Sequence, residues 1–215
     1  LANGVTPWMT LYHWELPQAL EETGGWQDRG TAERFARIAG MMAAHFSGRV
    51  SHFITLNEPQ IVLKLGYADG IHAPGKRLLL PELVSCWKNL MLAHGLSFRA
   101  IRKAAPEALI GIASTGKLCY PHSPADEDAA RQETFRLTDS DWMFTHAIVL
   151  DAVCLGRAEP EAGALRKLLS EVTPEEWDTM HAVPDFIGVN SYNGSEIAAG
   201  PDGAPVYLPR PRGFA

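Results

Sequence analysis

Hydrophobic residues follow two different periodicities that alternate along the 215-residue chain. Four short, almost continuous apolar runs are typical of strands buried on both faces, and they predict β-strands at Val5–Tyr12, Val50–Leu56, Leu109–Ala113 and Phe186–Val189. Between these runs, apolar residues recur every three or four positions, which predicts helices at Thr31–Phe46, from about Pro81 to Pro106, at Asp141–Val153 and at Pro174–His181. Such alternation favours parallel strands covered by helices.

Polar and helix-breaking residues set the ends of several of these elements. Thr31 is a candidate N-cap for the first long helix. Thr173 and Glu176 form a capping box, so that a short helix begins between them. A long loop is expected around Gly66–Gly75, and the segment 114–139 has a mainly polar pattern.

Two architectures fit this alternation, a doubly wound sheet and a (β/α)8 barrel. No GxGxxG or GxxxxGK[ST] motif follows a predicted strand, so the usual signal for nucleotide binding is missing. Polar residues instead follow the carboxyl ends of the strands, where a barrel carries its active site. These residues are His13, Asn57, Glu58, Asn190 and Tyr192. The barrel is therefore the better interpretation.

The spacing of the strands indicates how much of a barrel the chain covers. The predicted strands correspond to about 59 residues per unit, so that eight units would need roughly 475 residues. The chain has 215 residues and begins with Leu1. We expect an α/β fold, an incomplete (β/α)8 barrel of about four units, with residues 1–215 as one fragment that is close to half of a barrel. Its open sheet edges predict self-association or aggregation.

Charge and cysteine content exclude several other classes. With 19 Lys and Arg against 25 Asp and Glu, the net charge of −6 argues against a nucleic-acid partner. No run of 18 apolar residues occurs, so we expect no membrane-spanning helix. The three cysteines are widely spaced and show no CxxC or zinc-ligand pattern. We therefore expect neither metal nor cofactor, and reduced thiols in a cytoplasmic protein.

Glu58 is the first candidate for catalysis. It lies between Asn57 and Pro59, directly after a predicted buried strand. A carboxylic acid at this place in a barrel can protonate a leaving oxygen and later take a proton from water. The alternative for an isolated glutamate is a solvent-exposed loop residue.

Further motifs follow one another in a fixed order along the chain. They are TLYHWELPQ at 10–18, GGW at 24–26, TLNEP at 55–59, GIHAPG at 70–75, AHG at 93–95 and DFIGVNSY at 185–192. Together they resemble the family 1 glycoside hydrolases, the β-glucosidase type of (β/α)8 barrel. The resemblance implies that residues 1–215 cover roughly strands 3 to 6 of this barrel and lack strands 1, 2, 7 and 8. Glu15 stands where that family usually has Asp, and Ser191 where an aromatic residue is usual.

The resemblance implies a role for each polar residue at the strand ends. Glu58 would be the general acid/base of a retaining double displacement on a β-glucoside or related oligosaccharide, and Asn57 would bind the sugar 2-hydroxyl. The family's nucleophile is a glutamate in a Glu-Asn-Gly motif at strand 7. The sequence contains no such motif, so we expect the polypeptide alone to be inactive.

The same resemblance implies a sugar pocket around the acid/base. His13 would bind sugar hydroxyls, Trp14 would be a further sugar contact, and Asn190 would support the pocket. Tyr192 would donate a hydrogen bond to the nucleophile and hold it ionised. Packing is the alternative role for His13 and Trp14, and His94, on the apolar face of its helix, is interpreted as structural.

Other functions stay open at this point. A 6-phospho-β-glycosidase would share these motifs, with its phosphate contacts beyond residue 215. A non-catalytic carbohydrate-binding derivative of the barrel is the alternative from a different class. A cellulase-like endo-enzyme with Asn-Glu at strand 4 is disfavoured by the Tyr12–Trp14 and Gly70–Gly75 motifs.

Overall fold

A computed structural model describes residues 1–209, and residues 210–215 of the predicted unit lie outside the described part. Its seven strands are β1 (Trp8–Tyr12), β2 (His52–Asn57), β3 (Leu109–Thr115), β4 (Cys119–Pro121), β5 (Phe186–Asn190), β6 (Ser195–Ala199) and β7 (Pro205–Tyr207). The main sheet has the order β1-β2-β3-β5, and every neighbouring pair in it is parallel. The remaining strands form a small sheet of order β4-β6-β7.

Helices connect the successive strands of the main sheet. Those within residues 1–209 are α1 (Gln18–Glu21), α2 (Arg29–Phe46), α3 (Pro59–Ile61), α4 (Leu80–Ala104), α5 (Glu127–Phe135), α6 (Ala147–Leu150), α7 (Ala164–Leu169) and α8 (Pro174–Met180). Two π-helical segments, Val62–Ala68 and Asp151–Leu155, continue α3 and α6. The fold is therefore an incomplete (β/α)8 barrel, as predicted. In the described part of the chain, no helix is long and apolar enough to cross a membrane.

The four predicted strands of the main sheet are all present, with ends that differ by a few residues. The predicted N-cap of α2 is wrong. Asp28 takes this place, in extended conformation, and its carboxylate accepts a hydrogen bond from the Gly30 N–H at 3.0 Å. Thr31 lies inside the first turn and is buried. A cap must precede the helix with a non-helical backbone, and Asp28 meets this condition.

The loop predicted around Gly66–Gly75 is wrong in its first part, because the π-helical segment extends to Ala68. Gly66 is buried in this segment, and a Cβ added there would lie 2.8 Å from the Ala73 carbonyl oxygen. The glycine thus permits a close approach of two backbones rather than ending a helix.

Two further predictions differ from the structure between β3 and β5. The helix predicted at Asp141–Val153 begins only at Ala147 and continues to Leu155, before Gly156 in left-handed conformation. The polar segment 114–139 contains β4 and α5, which pack with β6 around a small core of Cys119, Ala129, Ala130 and Ile197. The small residues of α5 left too weak an apolar pattern to predict this packing.

His94 ties α4 to the main sheet, in agreement with its predicted structural role. It is fully buried, and its Nε2–H donates to the Ala182 carbonyl oxygen at 3.1 Å. In this tautomer Nδ1 accepts from the Thr55 hydroxyl on β2 at 2.8 Å. Burial lowers the pKa of His94 to about 4, because the apolar surroundings disfavour the charged ring.

Both edges of the main sheet are unpaired in the described part of the chain. β1 pairs only with β2, and β5 pairs only with β3. Apolar side chains are exposed on these two strands, including Trp8 on β1 and Ile187 and Val189 on β5. An unpaired strand with exposed apolar residues can pair with another chain.

The pKa of His94 predicts an acid-sensitive fold. Between pH 6.5 and 4 the unfolded chain binds a proton on this histidine that the folded chain does not, so stability should fall as the pH drops through this window. The loss from this group should reach roughly 3 kcal/mol. Urea unfolding across the pH range measures it.

The variant His94→Gln should reduce the pH dependence of the free energy of unfolding. The reduction should be partial, because burial also lowers the pKa of His146. His45→Gln, at an exposed histidine of α2, is the matched control and should keep the dependence of the unmodified chain. Equal slopes for the two variants would contradict the assignment.

Candidate functional site

The six residues predicted to form the site lie at the carboxyl end of the main sheet. Asn57 and Asn190 are the last residues of β2 and β5. His13 and Trp14 follow β1 directly, and Glu58 follows β2. Because the carboxyl ends of parallel strands lie at the same edge of the sheet, these separate segments of sequence meet there. We call this edge the rim.

Glu58 occupies a strained turn between β2 and α3. Its backbone is left-handed, with φ 48° and ψ 59°, and its side chain is buried. Its N–H donates to the Ala113 carbonyl of β3 at 2.8 Å, which extends the pairing of the two strands by one residue. A left-handed non-glycine residue costs about 1–3 kcal/mol, which the surrounding structure must offset.

Asn190 links Glu58 to Asn57. Its side-chain amide donates to Glu58 Oε1 at 2.5 Å and to Asn57 Oδ1 at 3.1 Å. Tyr192 Oη donates to the same Glu58 oxygen at 3.2 Å. Two donors, one at the end of β5 and one just beyond it, therefore hold one oxygen of the buried carboxylate that follows β2. Hydrogen bonds to a charged group are stronger than neutral ones.

His13 and Trp14 contact the other side of Asn57. The Asn57 side-chain amide donates to His13 Nε2 at 3.3 Å, and Trp14 Nε1 donates to the Asn57 carbonyl oxygen at 3.1 Å. Trp14 also has a positive φ, 84°, and with Glu58 it is one of two non-glycine residues with this conformation in the described part of the chain. Both strained residues thus lie in the site, where such strain is most often found.

Tyr192, for which the resemblance implies a hydrogen bond to the nucleophile, contacts Glu58 in this chain. Its hydroxyl contacts the acid/base candidate Glu58, and 82% of the residue is exposed. The negative charge of Glu58 raises the pKa of Tyr192, since ionising the phenol would place two negative charges together. The phenol is therefore a donor at neutral pH.

A second layer of buried polar groups lies behind Glu58 and was missed from the sequence. It consists of Gln60, Ser114, Thr115, Thr145 and His146, which are connected by hydrogen bonds. Ser114 and Thr115 could have been identified as polar residues at the end of a buried strand. Thr145 and His146 carry no local signal, because they lie in a segment predicted as helix.

A cavity of about 310 Å³ opens beside the site, between the end of β3 and the segment after β5. Asn190 and Tyr192 line it together with Thr115, Lys117 and Phe144. Lys117 donates from the cavity wall to Glu133 and Asp141. A larger cavity of about 510 Å³ lies at the amino ends of the strands and is lined by none of the six predicted site residues.

The rim offers acid/base and hydrogen-bonding groups for a polar ligand. Across residues 1–209, no group of three or more His, Cys, Asp or Glu side chains could hold a metal ion. The chemistry available at the rim is proton transfer by Glu58, with amide, imidazole and indole groups around it.

Comparison with known proteins gives a consistent result. The sequence model of glycosyl hydrolase family 1 matches residues 1–204. β-Glucosidase A of Thermotoga maritima is 31% identical over 202 residues, which are 94% of this chain and 44% of that protein. β-Glucosidase A of Acetivibrio thermocellus is 34% identical over 212 residues, 97% of this chain and 46% of that protein.

A solved structure shows the same likeness in three dimensions. The β-glucosidase of T. maritima in complex with glucoimidazole superimposes with a TM-score of 0.78 at 30% identity. The match covers 98% of this chain and 47% of that one. The chain therefore spans about half the length of the relatives it matches.

Removal of the Asn190 amide should destabilise the rim. Asn190→Ala leaves the buried Glu58 carboxylate without its closest donor, so we expect a loss of about 1–3 kcal/mol in the free energy of unfolding. Urea unfolding at neutral pH measures this loss. Asn193→Ala, at an exposed asparagine three residues later, is the control and should change the free energy by less than about 0.5 kcal/mol. Equal effects of the two substitutions would contradict the contact.

Proposed function

The chain belongs to glycosyl hydrolase family 1, and on this basis we propose that it carries the acid/base half of a retaining β-glycosidase site. The observation that supports the proposal best is the hydrogen-bonded placement of Glu58. This glutamate is buried at the carboxyl end of β2, and two donors at the carboxyl end of β5 converge on one of its oxygens. The environment suits a carboxyl group that must both give and take a proton.

In the proposed mechanism Glu58 acts twice. In the first step the protonated carboxyl donates to the glycosidic oxygen while a nucleophile attacks the anomeric carbon, so that the aglycone leaves as an alcohol. In the second step the Glu58 carboxylate takes a proton from water, and the water oxygen displaces the nucleophile from the sugar. Asn57 would hold the 2-hydroxyl, a contact that strengthens in the transition state.

The mechanism requires a second carboxylate about 5–5.5 Å from the first. The sequence contains no Glu-Asn-Gly segment of the kind that supplies this nucleophile in the resembled family. We therefore propose that the 215-residue chain by itself does not hydrolyse glycosides. The half-site in this chain would still recognise a sugar through Asn57, Asn190 and His13.

The substrate that we propose is a β-glucoside. The relatives of T. maritima and A. thermocellus described above are named as β-glucosidases, and the superimposed T. maritima structure contains glucoimidazole. A sugar-shaped imidazole can accept a hydrogen bond from a carboxylic acid beside the anomeric position, so it probes the acid/base directly.

Binding of glucoimidazole to the 215-residue chain tests the role of Glu58. We expect Glu58→Gln to weaken binding about tenfold, since an amide N–H is a weaker hydrogen-bond donor to the imidazole than a carboxylic acid. Glu107→Gln, at an exposed glutamate near the amino ends of the strands, should bind like the unmodified chain. Calorimetric titration of the three proteins gives the dissociation constants.

Three outcomes would contradict the proposal. Equal affinity of the Glu58→Gln and Glu107→Gln variants, or no binding by any of the three proteins, would exclude a sugar half-site around Glu58. Hydrolysis of an aryl β-glucoside by the chain, abolished in Glu58→Ala, would overturn its proposed inactivity. Binding without hydrolysis agrees with the proposal.

We also propose that the chain associates with itself through the edges of its main sheet. Trp8 on β1 is 52% exposed and Val189 on β5 is 61% exposed, and both strands offer unpaired backbone groups. Exposed apolar edge strands without an inward-pointing charge favour pairing between chains.

Sedimentation velocity over a concentration series tests this association. The unmodified chain should form dimers or larger species, and Val189→Lys should shift it toward monomer, because a lysine on an edge strand opposes pairing. Met41→Lys, at a 64% exposed position on the outer face of α2, should leave the association unchanged. A single monomeric species for the unmodified chain at all concentrations would exclude the proposal.

A further inference from the structure

A buried amide lies directly behind Glu58, on the first turn of the helix that this glutamate caps. Gln60 is fully buried. Its Nε2 donates to Ser114 Oγ at 2.7 Å and to the Thr145 carbonyl oxygen at 3.3 Å, and its Oε1 accepts from the Thr115 N–H at 3.5 Å. One side chain therefore joins the turn after β2 to the end of β3 and to the segment before α6.

The groups that Gln60 contacts are themselves held in place. Ser114 Oγ lies 2.9 Å from His146 Nδ1, and the Thr145 hydroxyl donates to the Thr134 carbonyl oxygen at 3.1 Å. The backbone at Gly116, just after β3, also lies close to the backbone at His146. A Cβ added at Gly116 would lie 2.9 Å from the His146 nitrogen. Gln60 thus binds to groups that have further contacts of their own, and its hydrogen bonds can restrain the turn.

The turn needs such a restraint. A glutamate in free solution prefers a right-handed or extended backbone, and Glu58 has φ 48° and ψ 59°. Its own N–H is bonded to Ala113, and its carbonyl accepts from Ile61 on the next turn. Pro59 fixes its own φ and offers no N–H. Among the described residues near the turn, Gln60 is the side chain that anchors it to β3.

The same amide reaches the main donor to Glu58. Thr115, whose N–H is bonded to Gln60, donates from its hydroxyl to the Asn190 backbone carbonyl at 3.1 Å. Asn190 in turn donates to Glu58. Gln60 is therefore connected to Glu58 by two routes, along its own backbone and across β3 and β5.

We propose that Gln60 is a positioning residue that holds Glu58 in its left-handed conformation and its carboxylate against Asn190. It has no contact with a substrate in this proposal, because it lies fully buried behind the turn. The meaning of this positioning for catalysis rests on the proposed function of Glu58. The restraint that Gln60 places on the backbone of Glu58 does not depend on that function.

Amide hydrogen exchange on the full 215-residue chain tests the proposal. Gln60→Met keeps the length of the side chain and removes its hydrogen bonds, so the Glu58 N–H should exchange about tenfold faster as the turn opens. The NMR shifts of Glu58 should move toward those of a residue with negative φ.

The matched control is Asn89→Leu, which removes another buried amide of similar environment. Asn89 donates to the backbone carbonyls of Trp26 and Gln27, away from the site. This variant should lower global stability without selective exchange at Glu58. Ser114→Ala, a smaller change that removes one partner of Gln60, should accelerate exchange at Glu58 by a smaller factor.

Equal exchange and equal shifts at Glu58 in the Gln60→Met and Asn89→Leu variants would overturn the proposal. If Gln60→Met does not fold, the same comparison of Ser114→Ala with Asn89→Leu decides it. The affinity for glucoimidazole should also fall in Gln60→Met and not in Asn89→Leu. If no variant binds glucoimidazole, the proposed function fails, whereas hydrogen exchange still decides the role of Gln60.

Discussion

The hydrogen bond from the Glu58 N–H to the Ala113 carbonyl continues the parallel pairing of β2 and β3 one residue beyond the strand. It fixes the glutamate at the rim of the sheet in a conformation that glutamate ordinarily avoids. α3 begins at the next residue, Pro59, so the position of its first turn depends on the same hydrogen bond. The positions of the carboxylate, of Asn57 before it and of Gln60 after it therefore depend on this pairing.

The arrangement around the carboxylate is asymmetric. Asn190 and Tyr192 both donate to a single oxygen, Oε1, from the same side. Both donors come from the strand end beyond β3, so the site forms only when three strands are in register. In the function that we propose, this arrangement would keep the orientation of Glu58 constant while its carboxyl group changes protonation state.

The strands were predictable because burial on both faces leaves continuous apolar runs, as in Phe186–Val189. The helices were less so. A glycine such as Gly66 reads as a loop signal, although here it permits contact with the Ala73 carbonyl inside a π-helical segment. Likewise, α2 begins after Asp28, and the helix predicted from Asp141 begins only at Ala147. Hydrophobic periodicity does not report the residue at which the backbone becomes helical.

The sequence alone determined the family, the four-strand parallel fold and the six residues of the rim, since motifs and strand ends are local features. The tertiary structure decided which of these residues are in contact, and it alone revealed the buried polar groups behind Glu58. Gln60 meets Ser114 and Thr145 across separations of 54 and 85 residues. No local pattern encodes such contacts, because they form only when pairing of β2 with β3 and packing of the segment before α6 bring distant residues together.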